Sequence, residues 1–395
     1  MLTFLCIATY RKGDEFLNEC HRQGCRVLLL TDEKLKDSDW PRDAIDGFYF
    51  VRRDMPEQDI RKGAAFVARS ERIDRIVALD DFDVEMAAML REYLHIPGMG
   101  QTTARAFRDK LAMRSRARAD GIRCHAFVHV ANDATVSEWT QIVAPPWVLK
   151  PRAQAAAIGI KKVASPEDLW TTLTILGDTR ADYVLEQFVA GDVFHVDSLV
   201  FNRQVVFASA SAYGSPPMTV AHEGGIFVTR TLQLEDPMSE QLTALNARLL
   251  DAFGLIRGVS HTEFIRGHDG TLYFLETSAR VGGAFIVDVV EAATGINLWR
   301  EWAHIEIAGE RGEYAPPASP RRSAGIVLSL ARQEYPDMQA YSDAEIVRQI
   351  HKRHHAGLIV ASDDERRVQE LLDSYVSRFY EDFHTSAPVP ERAVE

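Results

Sequence analysis

Apolar residues over the first hundred positions come in short runs separated by amphipathic stretches, so two periods alternate along the chain. Residues 2–9 form an apolar run of strand length, and residues 14–23 carry a helical pattern stopped by Gly24. Residues 26–30, 47–51 and 74–79 read as further strands. Helices fall near 58–70 and over 84–94, the second ending before Ile96-Pro97-Gly98. This βαβ rhythm predicts a small parallel, doubly wound sheet. Its ligands are expected beyond the carboxyl ends of the strands, near residues 9–12 and 80–83.

After residue 100 the rhythm changes. Two helices over about 102–120 lead to Gly121, strands at 125–130 and 147–150, a loop, and a helix at 166–176. Alternation then predicts strands at 183–188, 194–201, 204–212 and 225–232. A long helix over 237–253 precedes strands at 258–266 and 271–276, and helices near 284–293 and 298–308 follow. The stretch 310–320, rich in Gly and Pro, reads as a linker. Beyond it the pattern gives a strand at 323–331, a helix near 343–351, a strand at 357–361 and a helix at 364–380. No internal repeat or low-complexity tract interrupts this order.

Composition narrows the class. With 395 residues, 46% hydrophobic and 26% charged, the chain is long enough for about two to four domains and is typical of globular proteins. A formal net charge of -12 argues against a nucleic-acid partner, while a few converging cations could still hold a small polyanion. The four cysteines have no regular spacing, which argues against a disulfide framework or a zinc site. The first apolar run is broken by Arg11, Lys12, Asp14 and Glu15 and reads as a strand, not a signal peptide. No apolar run approaches the length of about 20 residues that a membrane helix needs. A soluble cytoplasmic protein with no membrane partner is expected.

The richest chemistry lies in His261-Thr262-Glu263, Asp269-Gly270 and Glu276-Thr277-Ser278-Ala279-Arg280. Asp-Gly between two alternating apolar runs signals a hairpin. A turn centred there pairs Thr271 with His268 and sets Glu276 opposite Glu263, with Ser278 opposite His261 on the same face. Facing carboxylates repel unless a cation lies between them, and hard divalent cations take carboxylate oxygens. Two solvated glutamates are the bland reading, but Phe264, Ile265, Phe274 and Leu275 make the surroundings apolar and favour a metal.

Lys110 opens a helix, and Lys150 ends the strand before Pro151, a position that favours an anionic partner for a buried ammonium. The small-residue segment 152–159 could close over phosphates with backbone N–H groups, although it has one glycine and no GxxxxGK[ST] motif occurs. A surface lysine and an ordinary loop are the plain alternatives. His195 and Asp197 lie two apart on one strand face, and a satisfied core pair is the plain reading of them.

Taken in order, Lys110, Lys150-Pro151, Glu186-x-Phe188-Val189-x-Gly191, His195-x-Asp197, Glu263 and Glu276-x-x-x-Arg280 resemble the ATP-grasp enzymes. The likeness is to the biotin carboxylase and carbamoyl phosphate synthase branch, and more closely to the L-amino acid ligases. It runs from the first strand to about residue 310. The resemblance implies an α/β (α+β) ATP-grasp fold: a Rossmann-like domain over 1–100, a lid subdomain over 101–185, a large subdomain with the metal site over 186–310, and a mixed-sheet C-terminal extension over 311–395. It implies that Lys110 and Lys150 hold the phosphates of ATP, that Glu186, Gln187, Phe188 and Val189 form the adenine hinge, and that His195 sits near the ribose. It also implies that Glu263 and Glu276 bind Mg2+ or Mn2+, and that Arg280, with Lys150, stabilises charge in catalysis. Ser278 stands where the family usually has a metal-binding Asn, and Val193 where many members have an acidic ribose contact. Val281-Gly282-Gly283 looks like the amino-acid ligase version and moves the reading away from biotin chemistry.

The implied activity is ADP-forming ligation of a small carboxylate to an amine through an acyl phosphate, in a chain that could pair as a homodimer. A non-catalytic ATP-binding module and transfer to a non-amine acceptor are the alternatives. Asp81 and Asp83 could hold a substrate ammonium or cap the helix that follows. His222 and Glu223 border the acid pocket or lie in a plain loop, and the 351–355 cluster His-Lys-Arg-His-His reads as a solvated helix end.

Overall fold

The computed structural model describes residues 1–52, 54–155, 157–310 and 312–387. The first unit is β1 (Thr3–Ala8), α1 (Asp14–Arg22), β2 (Arg26–Asp32), β3 (Gly47–Val51), α2 (Glu57–Val67), β4 (Arg75–Ala78) and α3 (Val84–Leu94). Its strands are all parallel, in the order β3-β2-β1-β4, and the two central ones are apolar almost throughout because helices cover both faces.

Next come α4 (Gln101–Arg105), α5 (Lys110–Ala119), β5 (Phe127–His129), α6 (Asp133–Ile142), β6 (Trp147–Pro151), β7 (Lys161–Val163), α7 (Pro166–Leu176) and β8 (Tyr183–Gln187). The four strands make a small antiparallel sheet, ordered β5-β8-β6-β7, over a core that includes Trp147, Leu149, Leu169 and Leu185. Helix α6 escaped the hydrophobic pattern because it buries little beyond Val136. It is started by Asn132, whose side chain accepts from Thr135 N–H.

The remainder is β9 (Gly191–Phe201), β10 (Gln204–Tyr213), α8 (Pro217–Glu223), β11 (Phe227–Thr231), α9 (Pro237–Phe253), β12 (Gly258–Gly267), β13 (Leu272–Ser278), α10 (Ile286–Thr294), α11 (Leu298–Ala308), β14 (Ser323–Leu330), β15 (Ile346–Lys352), β16 (His355–Ser362) and α12 (Glu365–Asp382). One eight-stranded sheet, ordered β13-β12-β9-β10-β11-β14-β16-β15, takes strands from both sides of the 310–320 stretch. The helix expected near 343–351 is instead the edge strand β15, which pairs with β16 as far as Lys352 opposite His355. Ile346 and Ile350 sit four apart and mimic a helical stripe, but pairing with a neighbouring strand overrides that local signal. The His351–His355 cluster is therefore a hairpin turn with His354 at φ 55°, not a helix end.

The parallel sheet docks on the large one through α1 and α11, where Phe16 meets Trp302 edge-on at 5.1 Å. Helices α5 and α9 pack on the opposite part of the large sheet, with Phe107, Met113, Leu249 and Phe253 in one core with Phe264 and Phe274. That packing brings the first turn of α5 beside β13.

Candidate functional site

The β12–β13 hairpin pairs His261 with Ser278 and Glu263 with Glu276, as the sequence predicted. The route differs. Gly267 N–H bonds to Thr271 O, so the turn holds one residue more than a two-residue turn on Asp269-Gly270, with Gly270 left-handed at φ 79°. Phe264 then faces Phe274, and a bulge at Leu275 restores the register before Glu276. Two one-residue shifts cancel.

Lys110 follows Asp109, whose carboxylate caps α5 by accepting from Leu111 N–H at 2.9 Å. The cap aims the first turn at β13, and Lys110 Nζ lies 3.1 Å from Glu276 Oε2 and 2.6 Å from Gln154 O. Glu276 is partly open to solvent; burial works against its charge, but Lys110 and Lys150 hold it well below the usual carboxylate range. Glu263 Oε1 accepts from Tyr213 Oη at 2.8 Å, and Ser278 Oγ is buried without a hydrogen-bond partner among the described residues. Two carboxylates and an unsatisfied hydroxyl on one hairpin are a donor set that suits a hard divalent cation.

Lys150 Nζ is buried and sits 2.8 Å from Glu186 Oε2. Burial, only partly offset by Glu186, pushes its ammonium down to about 8. Glu186 is ringed by nitrogen groups: besides Lys150, Arg114 Nε lies 3.0 Å from Oε1, and His125 Nδ1, on a ring that burial holds toward its neutral form, lies 3.4 Å from Oε2. Burial opposes its charge, yet Arg114 and Lys150 keep it ionised far below the normal range. Its carboxylate is thus committed to this cluster. Gln187 is exposed, and its N–H and that of Phe188 bond to Ala126 O and Pro146 O. Val189 is half-buried beside Gly267, and Lys162 Nζ covers the Phe188 ring at 4.1 Å.

The 152–159 loop, of which Ala156 lies outside the described residues, folds back over α5 and α8. Arg108 donates to Ala153 O, Arg152 pairs with Asp109, and His222 Nε2 lies 3.1 Å from Ala157 O. Arg280 is half-buried, with Nη1 donating to Val281 O at 2.8 Å and Nε unpartnered among the described residues. It also bears on Asp80, which pairs with Lys12 at 2.6 Å. Asp81 is engaged by Arg108 at 2.9 Å, and Asp83 accepts from Thr9 N–H at 2.8 Å, so both carboxylates tie elements together.

His195 is buried on the strand beside Glu263. Its Nδ1 faces Asp197 Oδ2 at 2.7 Å and its Nε2 faces Thr229 Oγ1 at 2.8 Å, so both ring nitrogens are engaged in the interior and neither is left for a ribose. Asp197 Oδ1 in turn meets His261 Nδ1 at 2.9 Å. Burial disfavours charge on His261, but Asp197 outweighs it and raises the ring to about 9. Arg114 and Tyr213 were missed by sequence reasoning. For Arg114 a signal existed, since it follows Lys110 by four residues and puts a second cation on the apolar face of α5.

No protein-family model matches the chain. An L-arginine-specific L-amino acid ligase of Bacillus subtilis is 27% identical over 241 residues, 59% of this chain. The chain spans 58% of that relative's length. An L-amino acid ligase of Bacillus licheniformis superposes with a TM-score of 0.75 at 19% identity, covering 97% of this chain and 98% of the other. The biotin carboxylase domain of Hydrogenobacter thermophilus 2-oxoglutarate carboxylase, solved with magnesium ADP and bicarbonate, superposes at 0.72 with 15% identity, over 98% and 91% of the two chains. The chain resembles ATP-grasp enzymes and shares their mixed α/β fold.

Proposed function

We propose that the protein is an ATP-dependent carboxylate–amine ligase that works through an acyl phosphate and releases ADP and phosphate. The observation that carries this reading is the convergence of Glu263, Glu276 and Ser278 with Lys110, each on a rigid element, under a loop of small residues. The ligase relatives support it, and the Val281-Gly282-Gly283 continuation favours an amino acid as the activated acid.

A carboxylate oxygen of the acid would attack the γ-phosphorus of ATP in line, and the amine would then displace phosphate from the acyl carbon. Such transfer needs positioning and neutralisation of charge more than a dedicated nucleophile. Lys110 and Lys150 would hold phosphate oxygens, and backbone N–H groups of the 152–159 loop would close over them. Segment 187–189 would border the adenine, and Arg280 would stabilise charge on the phosphoryl group or the acid. Glu263, Glu276 and Ser278 would hold a magnesium ion, which would supply positive charge against the phosphates of ATP. We place the protein in the cytoplasm, where ATP is supplied and its cysteines, free in the structure, stay reduced. Among the described residues no helix is long and apolar enough to cross a membrane.

The test is release of ADP and phosphate from Mg-ATP with amino acids supplied singly and in pairs. Release that needs one acid and one amine together is expected. Release with the acid alone would assign transfer to another acceptor, and ATP binding without release from any pool would contradict the ligase reading.

Lys150 adds a pH signature. Its ammonium titrates near 8 in the free protein, and bound phosphates favour the charged form. Affinity for ADP is therefore expected to be flat below pH 7 and about tenfold weaker at pH 9, while Lys150→Arg stays flat across the range. Stability moves the other way. The unfolded lysine titrates near 10.5, so between 8 and 10.5 the unfolded chain binds more protons and stability rises with pH. Calorimetric titration and thermal melts across that range read both signs.

A further inference from the structure

A row of buried polar side chains crosses the large sheet toward Glu263. It begins at Thr229 on β11, passes through His195 and Asp197 on β9, and reaches His261 on β12. His261 Nε2 lies 3.6 Å from Glu263 Oε1, and Tyr213 on β10 donates to the same oxygen at 2.8 Å. The strand register explains the order, since Glu263 lies opposite His195 and His261 opposite Asp197. Residues two apart share a face, so all four side chains stand on one side of the sheet.

The His195, Asp197 and His261 ligand atoms cluster closely enough to suggest a metal of their own. Hydrogen bonding accounts for the cluster without one, because each carboxylate oxygen of Asp197 takes a different ring nitrogen. Gly282 completes the arrangement. A Cβ there would come within 2.9 Å of Asp197 Oδ1 and 3.0 Å of His261 Nδ1, so the loop carrying Arg280 rests directly on the pair. Burying so many polar groups beside a largely buried carboxylate costs desolvation free energy that a plain core would not.

We propose that Tyr213 and the His195–Asp197–His261 chain are positioning residues for Glu263, fixing which of its oxygens is turned toward a divalent cation. Tyr213 and His261 converge on Oε1 of Glu263, whose strand position is opposite its hairpin partner Glu276. On the opposite strand Lys110 engages one oxygen of Glu276 in the same manner. Each carboxylate thereby has one oxygen engaged before a cation arrives. The inference rests on the metal reading of the hairpin.

The experiment is Mn2+ binding to the full-length protein with ADP, read by electron paramagnetic resonance, for wild type, Tyr213→Phe and His261→Asn. ADP affinity without metal and melting temperature are measured in parallel. Tyr213→Phe is expected to weaken Mn2+ binding by about 10- to 100-fold, the usual cost of losing a residue that orients a ligand. ADP affinity without metal should stay unchanged in the same variant. His261→Asn should weaken Mn2+ by a similar factor, and adding it to Tyr213→Phe should cost less than the product, because both act on one oxygen. Tight Mn2+ binding by wild type and equally tight binding by Tyr213→Phe would overturn the positioning role while leaving the metal reading intact. Absence of Mn2+ binding by wild type would overturn both.

Discussion

Replacing Glu276 by glutamine is expected to lower ADP release by about 10³-fold while leaving ATP binding and the fold in place. Glutamine keeps the shape of the side chain and its place opposite Glu263 but removes the charge that a divalent cation needs. The stabilisation that such an ion gives to developing phosphoryl charge is several kcal/mol, and each 1.36 kcal/mol is tenfold in rate, which sets the size of the loss. The fold should tolerate the change. Glu276 has 36% of its side chain exposed, so its pair with Lys110 is screened, and Lys110 keeps Gln154 O as a partner. Steady-state ADP release across a range of Mg2+ concentrations checks this, with a thermal melt as control. Partial recovery at high Mg2+ is expected, since Glu263 and Ser278 remain. Turnover within tenfold of wild type at every Mg2+ concentration would remove Glu276 from the metal site.

How this hairpin was legible from sequence shows where local pattern reaches and where it stops. Asp269-Gly270 and the flanking alternation were enough to pair Glu263 with Glu276, because period-two alternation pins a register against one-residue slips. The same signals missed the longer turn and the bulge at Leu275, which shift the register by one residue each and only together leave the carboxylates opposite one another. Helices with strong caps and stripes, such as Pro166–Leu176 and Pro237–Phe253, were read to the residue. The edge strand Ile346–Lys352 was not, since an edge strand is defined by its neighbour and its own residues carry little of that information. His195 illustrates the same limit at the site. Spacing put it on a face with Asp197, but only the paired strands reveal that Thr229 and Asp197 occupy both its nitrogens. Tyr213 reaches Glu263 from 50 positions away in sequence, and no local pattern encodes that.

Arg114→Met is expected to lower stability by about 3–5 kcal/mol, the typical cost of leaving one partner of a buried ion pair behind. Arg114 is fully buried and Glu186 nearly so, so solvent screening gives no relief. The guanidinium also donates to Leu275 O at the bulge and lies 5.3 Å over the Phe274 ring. It thus joins three elements: α5 that carries Lys110, β8 of the small sheet, and the hairpin strand that carries Glu276. Met keeps the length and apolar volume of the side chain, which isolates the polar contribution. Lys150 and His125 remain beside Glu186, so the carboxylate is not left wholly unpaired, and the lower part of the range is expected. Arg203→Met is the matched control, because that arginine pairs with Asp251 with both side chains more than half exposed, and it should shift the denaturation midpoint hardly at all. Guanidinium denaturation of both variants gives the difference. Amide hydrogen exchange separates a uniform loss from a local one. If Arg114 clamps the small sheet to the body, exchange in Trp147–Pro151 and Tyr183–Gln187 should accelerate more than in Gly191–Phe201, and uniform acceleration would reduce Arg114 to a core contact without a coupling role.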